Sequence, residues 1–123
     1  PLTALAVNFN TINVRIAGGK VHSAEPQTPL TPLARHLARG LGAGRHRINL
    51  KNQTNALRYA GELFAAKLQA AGIGVTDSRP ITGRIPSGSG LLLRHLNSRR
   101  LDQVIASMLK YSTNFVANDL FLL

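Results

Sequence analysis

Three small polar residues, Ser112, Thr113 and Asn114, interrupt an apolar helical pattern near the end of the sequence. A hydroxyl can exchange a proton and a carboxamide can hydrogen-bond a substrate, so Ser112 and Asn114 are candidate catalytic residues. The triplet equally fits an ordinary connection between two helices, in which Ser112 caps the second helix. The tripeptide alone leaves both interpretations open.

The other residues that could take part in catalysis or binding form weaker patterns. The Gly-rich segment GRIPSGSG lacks the Gly-Lys-Ser/Thr ending of a phosphate-binding loop. The basic segment RHLARGLGAGRHR either forms a solvated face or contacts phosphate groups, and it contains no Phe, Tyr or Trp that could stack on a base. We expect no metal site and no cofactor, because the histidines are scattered without ligand spacing. The histidines are His22, His36, His46 and His95.

Composition limits the function classes. The 123 residues are 44% hydrophobic, which allows a core, and the length fits one domain or part of one. Fifteen Lys and Arg against five Asp and Glu give a formal net charge of +10, which favours anionic partners. The sequence contains no cysteine, which excludes disulfides and a cysteine nucleophile. Both ends lack the usual start and stop signals, so we expect an internal fragment of a longer protein.

Strand patterns occur mainly in the first half of the chain. Apolar residues alternate over residues 5–9 and, with opposite parity, over residues 12–16. This predicts two short strands with a bulge or break near Asn10. The segment RHRINLK predicts another short strand with its basic residues outward, and further short strands are predicted at GIGV and LLLRH.

Three helices must position the polar triplet and pack against these strands. Thr31–Pro32 predicts the start of a short helix. The strongest helical pattern covers residues 55–71, with Thr54 as its cap and Gly72 at its end. Ser98 is the expected cap of the next helix. That helix carries an apolar stripe that we expect to face inward, formed by Leu101, Val104, Ile105, Met108 and Leu109. The mixture predicts an α+β or α/β fold.

The segment LLLRHLNSRRLDQVIASMLKYSTNFVANDLF resembles the second-motif region of the penicillin-binding proteins. More narrowly, it is similar to the class C low-molecular-mass D-alanyl-D-alanine carboxypeptidase/endopeptidase family. Members have a helix ending in Met-Leu and a basic residue, then Ser-x-Asn, then an apolar helix; here these are residues 108–110, 112–114 and 115–117. ALRYAGELFAAKLQAAGIGV and ALAVNFNTINVRI resemble the segments that precede this region. The resemblance covers most of the chain, weakly between about residues 17 and 54.

The resemblance implies an α+β fragment of a serine enzyme with an acyl-enzyme mechanism. Residues 1–54 are then part of an accessory β-rich domain, and residues 55–123 are part of the transpeptidase-like catalytic domain. The family uses Ser-x-x-Lys as nucleophile and base, Ser-x-Asn as a second wall, and Lys-Thr-Gly or Lys-Ser-Gly as the substrate-binding strand. Ser112 would relay a proton to the leaving group, and Asn114 would hydrogen-bond the substrate and position the lysine.

The family also implies partners and a location. The substrates are peptidoglycan stem peptides, and β-lactams are the corresponding inhibitors. The site faces the outside of the cytoplasmic membrane, so the expected location of the parent protein is periplasmic or extracytoplasmic.

The sequence departs from the family pattern at two of its three motifs. Neither Lys-Thr-Gly nor Lys-Ser-Gly occurs, and the single literal Ser-x-x-Lys runs from Ser107 to Lys110 inside the amphipathic helix. We interpret that match as coincidental, because a nucleophile of this class sits at a helix N-terminus. We therefore expect the fragment alone to be inactive and to self-associate through unpaired strand edges.

Two other function classes remain open. The charge, the arginine excess and the basic segment also fit a small nucleic-acid-binding module. For this chain we expect only weak association with nucleic acid, without sequence preference. A non-catalytic interaction module is the other alternative.

Overall fold

The computed structural model describes Thr3 and residues 5–121, which form an α+β fold. In chain order the elements are β1 (Thr11–Ala17), β2 (Lys20–Ser23), α1 (Pro32–Leu37), β3 (Gly44–Asn49), α2 (Gln53–Ala70), α3 (Leu101–Tyr111) and α4 (Asn114–Phe121). The chain divides into two compact units, Pro1–Thr82 and Gly83–Leu123. Pro1 and Leu123, the two ends that the sequence led us to interpret as internal to a longer protein, lie outside the described residues.

The sheet of the first unit is antiparallel, with β1 between β2 and β3. Gly18 and Gly19 connect β1 to β2 with φ of 56° and 71°, the positive values that a two-residue hairpin turn requires. The predicted strand at RHRINLK is confirmed as β3. Strand β2 was not predicted, although a Gly-Gly pair after a strand is a hairpin signal.

A left-handed turn at Asn8–Asn10 precedes β1, so the predicted strand over residues 5–9 is wrong. Asn8, Phe9 and Asn10 have φ of 51°, 56° and 53°, values that asparagine tolerates better than most residues. The Thr11 hydroxyl donates to the Asn8 carbonyl at 2.7 Å, which holds the turn. The predicted break near Asn10 is therefore present, but as a turn before a single strand.

Local capping signals determine where α1 and α2 begin. The Thr31 side chain accepts a hydrogen bond from the Ala34 amide at 3.2 Å, and Pro32 is the first residue of α1, as predicted. The cap of α2 is Asn52, whose side-chain oxygen accepts from the Asn55 amide at 2.8 Å. The prediction that Thr54 caps this helix is wrong, because the helix starts before that residue.

The core of the first unit lies between the sheet and helices α1 and α2. Its buried members are Ile12, Val14, Leu33, Ala34, Ala38, Leu50, Ala56, Tyr59 and Leu63. Burial raises the pKa of Tyr59, and the negative charge of Glu25 raises it further, while a hydrogen bond with Asn8 opposes this. The core contains residues from both sides of position 54. The division of the parent protein into an accessory domain up to residue 54 and a catalytic domain from residue 55 stays a prediction.

Glu62 links the two helices of the first unit. Its side chain is 4% exposed; one carboxylate oxygen accepts from the Leu33 amide at 2.8 Å, and the other accepts from Arg58 Nε at 2.8 Å. Leu33 lies in the first turn of α1, where amide groups have no partner within the helix. The buried carboxylate therefore satisfies a free amide of α1 while Arg58 balances its charge.

The second unit contains α3 and α4, and no described residue of α3 is buried. Leu101 is 61% exposed and Leu109 is 69% exposed, while Val104 and Met108 are half-buried, so the prediction that the whole stripe faces inward is wrong. Within its unit α3 has the eight-residue α4 beside it, which is too short to cover an apolar face along α3. The expected cap, Ser98, is also wrong: α3 begins at Leu101, and the Gln103 side chain accepts from the Arg100 amide at 3.0 Å.

The remaining expectations concern segments without regular structure. The segments GIGV and LLLRH contain no strand, so both strand predictions are wrong. The three leucines Leu91–Leu93 are exposed, and a strand there would need a neighbouring strand in its own unit. No described helix combines the length and hydropathy needed to cross a membrane.

Candidate active site

The polar triplet lies where α3 ends and α4 begins. Ser112 follows the last residue of α3 with φ of 50° and ψ of 46°, in the left-handed region. Its amide donates to the Leu109 carbonyl at 3.4 Å, and the Thr113 amide donates to the Met108 carbonyl at 3.1 Å. This pair of bonds is the Schellman motif, which reverses the chain direction after a helix.

The second helix starts directly after this reversal. The Ala117 amide donates to the Thr113 carbonyl at 3.2 Å, so Thr113 precedes the helix and Asn114 is its first residue. Ser112 thus terminates α3. The interpretation that Ser112 caps the second helix is wrong, because Thr113 occupies the capping position.

Side-chain exposure distinguishes the members of the triplet. Ser112 and Asn114 are exposed, whereas Thr113 is half-buried. Within the described part of the chain, neither the Ser112 hydroxyl nor the Asn114 carboxamide has a hydrogen-bond partner. Both groups are therefore accessible to a ligand. That they converge on one substrate, and that they are catalytic, stay predictions.

The left-handed conformation of Ser112 has a cost. For a residue with a Cβ atom it is less favourable by about 1–2 kcal/mol, and glycine is the usual residue at this position of the motif. Non-glycine residues held in such conformations concentrate at functional sites. Glycine would be more stable than serine here; Asn8, Phe9, Asn10 and Lys51 are the other described non-glycine residues with positive φ.

Lys110 and Tyr111 complete the surface next to the triplet, and no role was predicted for either residue. Lys110 Nζ lies 5.5 Å from the centre of the Tyr111 ring, a cation–π contact. Both side chains are exposed. They place a positive charge and an aromatic surface beside Ser112, and their adjacency to the triplet is the signal that could have found them.

The Ser-x-x-Lys match at Ser107 lies inside α3. Ser107 is half-buried and is preceded by six residues of the same helix, so its surroundings lack the free amides of a helix N-terminus. The position of this serine within the helix is confirmed. It does not have the setting that stabilises a serine nucleophile.

The other sequence candidates do not assemble into a site. Among the described residues there is no group of three His, Asp or Glu side chains that could hold a metal ion. The segment GRIPSGSG is exposed and has no regular structure except a turn. The basic segment is divided between α1, the following loop and β3, so its cations do not form one continuous helix face.

The connection between α3 and α4 lies in a part of the chain that matches a known protein family. Residues 43–123 match the family model of the D-Ala-D-Ala carboxypeptidase 3 (S13) family. The chain belongs to this family. The match covers more than half of the chain and runs from the start of β3 through α4, so it includes Ser112 and Asn114. No curated protein and no solved structure is similar enough to the chain to count as a match.

Membership in the S13 family supports a D-Ala-D-Ala carboxypeptidase-type parent protein. The predicted relationship to the penicillin-binding peptidases is thereby confirmed at the level of the family. The strands β1 and β2 lie outside the matched residues.

Proposed function

We propose that the chain is part of a class C D-Ala-D-Ala carboxypeptidase or endopeptidase that acts on peptidoglycan stem peptides through a serine acyl-enzyme. The observation that carries this proposal is the exposed Ser112–Asn114 turn, with a strained serine, inside the residues that match the S13 family. The parent enzyme acts in the periplasm or another extracytoplasmic space, where its substrate is located.

The chemistry assigned to the turn is proton transfer and substrate positioning. In the acylation step the nucleophilic serine of the parent attacks the carbonyl of the D-Ala-D-Ala bond, and the terminal D-Ala leaves as an amine that needs a proton. The Ser112 hydroxyl donates that proton and recovers one from the catalytic base. The Asn114 carboxamide donates to the substrate backbone and accepts from the catalytic lysine. An exposed Lys110 adds positive potential toward a substrate that ends in a carboxylate.

This division of roles implies that the chain contributes one wall of the site. Its single Ser-x-x-Lys lies within α3, and it has no Lys-Thr-Gly or Lys-Ser-Gly. The described part of the chain also leaves one edge of β2 and one edge of β3 unpaired. Self-association of the fragment through these edges, and its lack of activity, belong to the same proposal.

Intact-mass measurement after incubation with penicillin tests the proposed function. We expect the full-length parent to gain the mass of one β-lactam and the 123-residue chain to gain none. The full-length protein should also release D-alanine from a stem pentapeptide. A full-length parent that neither acylates nor releases D-alanine contradicts the proposal. An adduct on the short chain that disappears in Ser107→Ala contradicts the assignment of roles.

A further inference from the structure

One face of the sheet in the first unit carries five basic side chains. Side chains alternate between the two faces of a strand, and directly paired residues share a face. Arg15 in β1 pairs with His22 in β2 and with Arg45 in β3, so these three form a row across the sheet. We call this surface the cationic sheet face; its basic residues are Arg15, Lys20, His22, Arg45 and Arg47.

The opposite face of the same strands is the core face. Ile12, Val14 and Ile16 of β1 are buried, whereas Arg15 between them is exposed. Lys20, His22, Arg45 and Arg47 are also exposed. The cations of the sheet therefore lie on its solvent side and are available to a partner.

The arrangement is unfavourable without a partner. Arg15 and Arg45 lie directly opposite each other, where Cβ atoms are about 5 Å apart and like charges destabilise the sheet. Within the described residues, no cation of this face forms an ion pair. Arg45 donates to the Ala24 carbonyl at 3.3 Å, and Arg47 donates to the Thr11 hydroxyl at 3.4 Å. Both acceptors are uncharged, so neither hydrogen bond balances the charge of its arginine.

The acidic residues of the first unit are engaged elsewhere. Glu62 pairs with Arg58 in the core, and Asp77 pairs with Arg79 in an exposed loop. Glu25 lines a pocket of about 370 Å³ together with Arg45 and Arg47, and it is the one carboxylate near this face. Its two oxygens accept from Asn13 at 2.7 Å and from Asn8 and Thr28 at 3.3 and 3.0 Å. Neutral donors occupy both oxygens of Glu25, and its single negative charge is smaller than the combined charge of Arg15, Lys20, Arg45 and Arg47.

The distribution of the cations indicates the shape of the partner. They extend over all three strands as a two-dimensional grid and do not follow a single groove. The face carries no Phe, Tyr or Trp, and His22 supplies its one ring, so it lacks a series of aromatic side chains on which successive nucleic-acid bases could stack. No helix projects from it to enter a duplex groove. A planar array of phosphates matches the grid better than a linear polyanion does.

We propose that the cationic sheet face docks on the surface of an anionic phospholipid bilayer. The docking is electrostatic and peripheral, because the face offers no large apolar side chain for insertion. The three-stranded sheet itself would thus hold the chain at a membrane surface. The proposal does not rest on the peptidase function; β1 and β2 lie outside the residues that match the S13 family, whereas β3 lies inside them.

Vesicle flotation tests this proposal with the complete 123-residue chain. The probes are vesicles of phosphatidylcholine alone and vesicles that also contain phosphatidylglycerol. We expect binding only to the anionic vesicles, and we expect it to weaken as salt is added. Each cation at an anionic surface strengthens binding by about fivefold, so Arg15→Gln with Arg45→Gln should lower the partition coefficient by about 25-fold.

Two variants provide the controls. Arg84→Gln with Arg94→Gln removes the same charge from exposed loop positions outside the sheet and should retain most of the binding. Arg15→Lys with Arg45→Lys keeps the charge of the face and should also bind. If the Gln variant does not fold, loss of binding in this Lys variant would still contradict electrostatic docking. Equal losses in the sheet variant and in the loop variant would overturn the proposal.

Competition distinguishes the sources of phosphate. Inorganic phosphate at the same phosphate concentration should not displace the chain from anionic vesicles, because a single anion does not match the grid. Full displacement by inorganic phosphate overturns docking on a surface. Binding of duplex DNA that is tighter than vesicle binding and depends on Arg15 and Arg45 overturns the lipid assignment. Absence of binding to anionic vesicles at low salt overturns it as well.

Discussion

The two longest helices of the chain end in the same backbone geometry with different residues. At the end of α2, the Gly72 amide donates to Gln69 at 3.0 Å and the Ile73 amide donates to Leu68 at 2.9 Å. The end of α3 repeats this pattern of hydrogen bonds around Ser112. Gly72 has φ of 80° and Ser112 has φ of 50°, so both residues are left-handed. Only glycine adopts this conformation without a steric cost.

The two helices also differ in what their apolar faces do. Helix α2 buries Tyr59 and Leu63 in the core of the first unit, whereas α3 buries none of its described residues. Helix α2 therefore ends with the residue that favours stability. Helix α3 ends with a less stable residue that carries an exposed hydroxyl. This difference is the basis of our proposal that Ser112 is kept at the end of α3 for its chemistry.

The largest effect is expected for Ser112→Ala in the full-length parent. Loss of a proton relay should slow turnover of a stem peptide by about 10²- to 10⁴-fold, while the midpoint of thermal unfolding stays nearly unchanged. Steady-state kinetics and thermal denaturation of the same sample measure both. Ser107→Ala is the matched control, because it removes a hydroxyl from α3 away from the turn. Equal turnover rates for the wild type and Ser112→Ala would contradict a catalytic role for Ser112.

Leucine truncation tests the difference in burial between the helices. Leu63 is 7% exposed and Leu109 is 69% exposed. Leu63→Ala should lower the free energy of unfolding of the chain by about 2–5 kcal/mol, because it leaves a cavity in the core. Leu109→Ala should change it by less than about 0.5 kcal/mol. Urea denaturation measures both values, and a large loss for Leu109→Ala would mean that α3 is packed in solution.

Removal of one carboxylate charge from each helix sharpens the same contrast. Glu62→Gln weakens the bonds to Leu33 and Arg58 inside the protein and should cost about 1–3 kcal/mol. Asp102→Asn removes the exposed ion pair with Arg100, in which Asp102 is 62% exposed, and should cost less than about 1 kcal/mol. Urea denaturation again gives the comparison, and similar costs for the two variants would contradict it.

The smallest effect concerns the end of α2 itself. Gly72→Ser places a Cβ atom in open space, so any loss of stability comes from the backbone conformation and should be about 1 kcal/mol. Gly74→Ser is the control, because that glycine also faces open space and does not have a positive φ. Hydrogen exchange at the end of α2 measures the change. An unchanged exchange rate in Gly72→Ser would show that serine is tolerated there and that Ser112 needs no functional explanation.

Local signals predicted much of the first unit. The capping pair at Thr31 and Pro32, the end of α2 at Gly72 and the strand β3 all follow from residues within a few positions of each other. The predicted strand over residues 5–9 failed because the alternation of side chains does not encode the left-handed turn at Asn8–Asn10. The Asn8 side-chain amide donates to the carboxylate of Glu25, 17 residues later, and this distant hydrogen bond contributes to holding that turn.

The candidate site shows a similar limit. The order of Met108, Ser112 and Asn114 within the chain identified the family, because the spacing of the motif is a property of the sequence. The left-handed conformation of Ser112 could not be predicted, since serine has no preference for it. It belongs to the Schellman motif that ends α3, after which α4 starts two residues later. The expectation of an inward apolar stripe on α3 failed because helical periodicity does not supply a partner surface.

The full-length Ser112→Gly variant tests the central claim most directly. Glycine relieves the backbone strain and removes the hydroxyl, so stability and chemistry should change in opposite directions. We expect the free energy of unfolding to rise by about 1 kcal/mol and the rate of acylation by penicillin to fall by about 10²- to 10⁴-fold. Acylation at the wild-type rate in a variant of equal or greater stability would contradict the claim that Ser112 is retained for its chemistry.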